Sequence, residues 1–93
     1  MNDLLWLLRW VKRRKASAEM RRLPTGWWQV LVVPDDAESL GIYGIRGAHL
    51  AVGATPVRAL RELSRAIQQR EASGYVPTTW EQLEAVGEGK DWY

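Results

Sequence analysis

Residues 27–33, Trp27-Trp28-Gln29-Val30-Leu31-Val32-Val33, restrict the fold more than any other stretch of this 93-residue chain. The run is rich in aromatic and β-branched residues and is closed by Pro34-Asp35-Asp36, which reads as a strand. Alternation puts Trp28, Val30 and Val32 on one face and Trp27, Leu31 and Val33, with Gln29, on the other. Both faces are apolar, so the strand is expected to be central or covered on both sides. A chain of this length buries only roughly 60–65% of its unfolded surface, so it builds one domain around a thin core.

The partners of that strand follow it in the chain. Gly41–Arg46 and Ala48–Val52 read as two further short strands with Gly47 as the turn or bulge between them. Together the three predict an antiparallel meander. Thr55-Pro56 then opens a helix with a hydroxyl cap and proline at the first helical position. Val57, Leu60, Leu63 and Ile67 repeat near the helical period with Ala59 and Ala66 beside them, and Ser73-Gly74 ends the pattern. Arg58, Arg61, Glu62, Arg65, Gln68 and Gln69 are expected to face outward, with Arg58 and Glu62 paired one turn apart. Tyr75-Val76-Pro77 reads as a linker. Thr78-Thr79-Trp80-Glu81 matches a capping box for a short helix to about Val86, followed by a tail to Tyr93.

The first 23 residues read differently. Asn2 or Asp3 caps a helix expected to run to about Arg22, where Pro24-Thr25-Gly26 ends it. Leu4, Leu8, Val11 and Ala18 fall on one stripe, and Trp6 and Trp10 form a pair one turn apart beside it. Seven basic and two acidic side chains give this segment +5, while residues 24–93 carry −3, a split hidden by the net charge of +2. The expected fold class is therefore α+β. A small antiparallel three-stranded sheet packs on one main helix, preceded by a basic amphipathic helical arm (1–23) and followed by a short C-terminal helix; residues 24–93 form the α+β body.

Chemistry is sparse. There is no cysteine, so disulfides, thiolate nucleophiles and zinc–thiolate sites are excluded. The single histidine, His49, alternates away from Ala48, Leu50 and Val52 and is expected to face solvent or a sheet rim, with no general-base role. Asp35, Asp36 and Glu38 read as a charged turn rather than a cation loop. Gly41, Gly44 and Gly47 recur without the Gly-Lys-Ser/Thr of a phosphate cradle and read as turns. No enzymatic activity, cofactor or metal is expected.

The arm carries the binding signal. Arg9, Lys12, Arg13, Arg14, Lys15, Arg21 and Arg22 can neutralise phosphates, with affinity that falls as salt rises. Trp6 and Trp10 can stack on unpaired bases, anchor a protein interface, or complete the core or a dimer seam. The apolar stretch is far short of the ~20 residues that span a bilayer, and its charges follow rather than precede it as in a signal peptide. A cytoplasmic protein is expected, with a membrane-surface role disfavoured.

Val33-Pro34-Asp35-Asp36, Gly47 and Val52-Gly53-Ala54-Thr55-Pro56-Val57-Arg58-Ala59-Leu60 give residues 27–68 a resemblance to the strand–strand–helix unit of the HicB-like antitoxin domain. Gly53, Thr55 and Ala59 match that family's Gly-x-Thr and first-turn Ala. The Thr-Pro opening is also similar to small phage proteins of the "ABA sandwich" sort. The resemblance implies an antitoxin that covers a toxin. The DNA-binding segment that such antitoxins carry after the domain has no counterpart in the acidic Thr78–Tyr93. The expected function is a small non-enzymatic binding protein of phage or mobile-element type. It would inhibit or occupy a host macromolecular machine, as anti-CRISPR proteins do. The alternatives are a HicB-like antitoxin and a nucleic-acid-binding accessory protein. The expected partner is a host or toxin protein or a nucleoprotein complex, and the apolar arm suits a homodimer.

Overall fold

The computed structural model describes residues 2–79. Helix α1 (Asp3–Arg13) leads into strand β1 (Ser17–Arg22), which turns back into β2 (Trp28–Val33). A two-stranded ribbon of β3 (Glu38–Ser39) and β4 (Ile45–Arg46) flanks a single 3-10 turn at Gly41–Tyr43. β5 (His49–Gly53) and helix α2 (Pro56–Ser73) complete the described fold. The main sheet has the order β1-β2-β5, all antiparallel, so β2 is central as its composition requires. The expected C-terminal helix and tail lie mostly outside the described residues.

The long N-terminal helix is not formed. Asn2 Oδ1 accepts from the backbone N–H of Leu4 (2.9 Å) and Leu5 (3.3 Å) and caps α1. The helix stops nine residues before Arg22. Its end is a left-handed cap: Lys15 sits at φ 49°, Arg14 N donates to Trp10 O and Ala16 N to Val11 O, both 2.9 Å. Ser17 to Arg22 then pair with β2, from Ser17↔Val33 to Arg22↔Trp28. The physical reason lies in β2, whose second edge carries a row of backbone groups that need partners. Ser17–Arg22 has no apolar stripe to hold it as a helix, so sheet pairing prevails.

The second correction concerns Gly41–Arg46, which does not join the main sheet. Its apolar side chains are not core material: Ile42 is 83% and Tyr43 70% exposed. β5 takes the place beside β2 expected for this strand, and β1 adds on the other edge of β2.

α2 begins and ends where its signals place it. Thr55 Oγ1 accepts from Arg58 N (3.2 Å), and Gly74 at φ 78° closes the C-terminus. Its buried face is Ala59, Leu63, Ser64 and Ile67, while Val57 is exposed and Leu60 only half-buried, so the helix is rotated from the expected stripe. Gly53 sets that rotation. A Cβ there would lie 2.8 Å from both Ala59 Cα and the Arg58 carbonyl carbon, so the first turn of α2 rests directly on β5.

The core combines Leu7 and Trp10 of α1, Val30 and Val32 of β2, and Ala59, Leu63 and Ile67 of α2. Each large apolar side chain buried there contributes about 1.5–3 kcal/mol. Helix α1 is fastened to α2 at its first turn. Ser64 Oγ donates to Asp3 O (2.7 Å), while Arg65 Nε and Gln68 Nε2 donate to the Asp3 carboxylate (3.2 and 3.3 Å). The Gln68 and Arg65 hydrogen bonds hold the Asp3 carboxyl below the usual range. After α2 the chain returns to the ribbon: Thr79 Oγ1 donates to Ile45 O (2.8 Å) and accepts from Ile45 N (3.1 Å).

Replacing Gly53 with Ala forces α2 off the sheet and is expected to cost about 2 kcal/mol or more. Denaturant titration checks this against Gly41→Ala, where no atom lies within 4 Å of the added methyl and only the left-handed backbone at φ 64° costs about 1 kcal/mol. Equal losses at the two positions would contradict the close-approach role of Gly53.

Candidate functional site

The arm residues do not form one surface. Trp10 is 1% exposed, its ring edge-on to His49 with centroids 5.5 Å apart and an 81° interplanar angle. The Arg14 guanidinium carbon lies 5.3 Å from the centroid of the same ring. Arg14 also bridges Asp36 (3.1 Å) and Glu71 (3.4 Å), so this cation ties α1 to the β2–β3 connection and to α2. Trp6 is half-buried against the core. Trp10 is thus a core residue, and Trp6 packs against that core while staying partly exposed. Among the described residues the buried Trp10 indole N–H finds no acceptor.

The remaining cations divide into two groups. Arg9, Lys12 and Arg13 are exposed on α1 beside Leu5 and Leu8, and Lys15 is exposed at its end. Arg21 and Arg22 lie at the far end of β1, a strand of six residues that spans roughly 17–20 Å. Arg21 Nε donates to Gln29 Oε1 (2.8 Å), and Arg22 lies beside Gly26.

His49 is the second departure. It faces the helices, opposite Val32, and is 6% exposed rather than solvated. Its Nδ1 lies 3.0 Å from Arg70 Nη1. A guanidinium only donates, so Nδ1 accepts and the ring proton resides on Nε2. Burial first, then the charges of Arg70 and Arg14, lower its pKa to about 4. The imidazole is thus a buried, neutral packing group at ordinary pH. The apolar run Ala48, Leu50 and Val52 suggested the opposite parity. The signal that fixes it is Gly53, which must face α2 and carries Ala51 and His49 with it.

At the Trp27 end of the sheet lies an open depression of about 490 Å³ between β5 and the outer face of α2. The β1–β2 turn builds one wall. Leu23 N donates to Trp27 O (2.7 Å), Gly26 N to Leu23 O (2.9 Å) and Trp27 N to Thr25 Oγ1 (3.3 Å), which leaves Trp27 43% exposed. The opposite wall is Arg58, Arg61 and Arg65, which share one face of α2 by their spacing of three and four residues. Arg65 is engaged by Asp3 (3.2 Å) and Glu62 (3.7 Å), so the expected Arg58–Glu62 pair is replaced by Glu62–Arg65. Among the described residues Arg58 and Arg61 form no ion pair. Two uncompensated guanidinia beside an indole suit planar, bidentate recognition of carboxylate or phosphate with an apolar platform next to it. The arginine spacing was visible in the sequence; its approach to Trp27 depends on the β1–β2 turn, which the long-helix reading removed.

Among the described residues no cluster of three His, Cys, Asp or Glu could hold a metal ion, and no helix is long and apolar enough to cross a membrane. No protein-family model, curated protein or solved structure matches this chain.

The His49 geometry makes a pH prediction. The folded pKa of about 4 lies below the ordinary 6.5, so the unfolded chain binds the extra proton first as pH falls. The stabilisation is complete above about pH 6.5 and is lost progressively toward pH 4. The full loss amounts to about 3 kcal/mol. Urea unfolding across this range should show a falling midpoint for the wild type and a flatter profile for His49→Gln. Matching profiles would contradict the buried neutral ring.

Proposed function

We propose that the protein is a small non-enzymatic binding protein of the kind that phages and mobile elements use to occupy a host macromolecular machine. It takes hold of an acidic protein surface through Trp27, Arg58 and Arg61. The observation that carries this reading is a pair of arginines that form no ion pair among the described residues, beside a half-open tryptophan at a concave surface. Arginine and tryptophan are the side chains that most often dominate interface energetics. Glu62 interrupts the cationic stripe on the same helix face, so the surface offers two separate guanidinia rather than the continuous basic track that suits a phosphate backbone. The His49 burial and the absence of a thiol agree with binding rather than catalysis as the role.

A second reading, contact with nucleic acid, rests on the exposed Arg9, Lys12, Arg13 and Lys15 at the end of α1. These lie apart from the depression, so separate variants distinguish the two surfaces.

The test is affinity capture from bacterial lysate at low and at physiological salt. Trp27→Ala/Arg58→Glu/Arg61→Glu is expected to lose the captured partner, and Lys12→Glu/Arg13→Glu to retain it. Retention by the first variant and loss by the second, together with salt-sensitive oligonucleotide binding in a polarisation titration, replaces this reading with the nucleic-acid one.

A further inference from the structure

Strand β1 is an edge of the main sheet, and all six of its residues are exposed. Its outward backbone groups can be identified. Leu23 and Trp27 continue the β1–β2 register, and Leu23 N donates to Trp27 O, so that pair is of the hydrogen-bonded kind. Alternation then turns the N–H and C=O of Arg21, Glu19 and Ser17 toward β2 and those of Arg22, Met20 and Ala18 outward. Edges of this kind pair with other strands unless charge or shape prevents it.

The charges on β1 select one partner. Glu19 and Arg21 lie on the sheet face away from the helices, and Glu19 forms no ion pair among the described residues. Arg21 is held on that face by its Nε bond to Gln29, which leaves its Nη groups to another acceptor. We propose that β1 pairs antiparallel with β1 of a second copy of this chain, on a two-fold axis through Met20. In that register Glu19 of each copy stands opposite Arg21 of the other. The closest approach between side chains falls on these non-hydrogen-bonded positions. Ala18↔Arg22, Met20↔Met20 and Arg22↔Ala18 each exchange two backbone hydrogen bonds, so every outward group of the strand is satisfied.

The neighbouring registers are excluded by the same charges. Outward groups meet only when the strands shift by two residues at a time. One such shift sets Glu19 against Glu19, and the other sets Arg21 against Arg21. The Glu-x-Arg spacing is therefore self-complementary at one register alone, as a closed two-fold interface requires. This pairing extends the sheet to six strands and leaves the Trp27 depression to its own partner.

Sedimentation velocity over a dilution series tests the dimer. Glu19→Arg and Arg21→Glu, each alone, replace attraction with repulsion and are expected to weaken self-association about tenfold or more. The Glu19→Arg/Arg21→Glu double variant restores the complementary pattern and should dimerise again. Mixing the two single variants should yield a heterodimer, because one strand then carries two arginines and the other two glutamates. Far-UV circular dichroism verifies that each variant is folded. A wild type that stays monomeric at every concentration overturns the proposal, as does a Glu19→Arg dimer of undiminished strength or single variants that do not associate when mixed.

Discussion

Trp10 is the contact on which the described fold turns. Its ring lies in the core shared by β2 and α2, meets His49 of β5 edge-on and carries Arg14 over one face. A tryptophan buries 150–250 Å² by itself, a large share of what so small a core can hold. The arrangement also dictates the chemistry around it. Two guanidinia, Arg14 and Arg70, approach the imidazole, so His49 is accommodated only as the neutral ring. Arg14 in turn is held by Asp36 and Glu71. The charge excess of the N-terminal segment is thus partly consumed within the molecule, and the Asp3–Arg65 pair works in the reverse sense at the other end of α1.

The elements legible in the sequence are those whose signals are local. Thr55-Pro56 and Ser73-Gly74 bound α2 because capping depends on residues within one turn. The Trp28–Val33 run reads as a strand because its composition leaves few alternatives. The break after Arg13 was hidden: the left-handed position is occupied by Lys15, not by glycine, in a run of good helix formers. Ser17–Arg22 becomes a strand through its pairing with β2, a tertiary demand that overrides local preference. Gly53 shows the opposite case. It marks in one letter how closely the sheet and α2 approach, and with that the parity of β5 and the placing of His49.

The candidate binding surface follows the same division. The arginine stripe on α2 is periodic and could be read directly, whereas Trp27 reaches it only because a turn at 23–27 folds β1 back along β2. Residues close together in the N-terminal sequence, Lys15 and Arg22, end up a strand length apart. Charge counted by segment identified the cations, but their grouping is a property of topology.

The fastening of α1 has a consequence for how the chain is made. Asp3 is held by Ser64, Arg65 and Gln68, and Arg14 by Glu71, contacts that span 57 to 65 residues. On the ribosome, β1 and β2 can form their local hairpin early, but the surface that receives α1 does not exist until α2 has left the exit tunnel. Residues of α1 are thus made well before the residues that cover them. Until α2 has emerged, Leu7 and Trp10 lack the Ala59, Leu63 and Ile67 side chains that close the core over them.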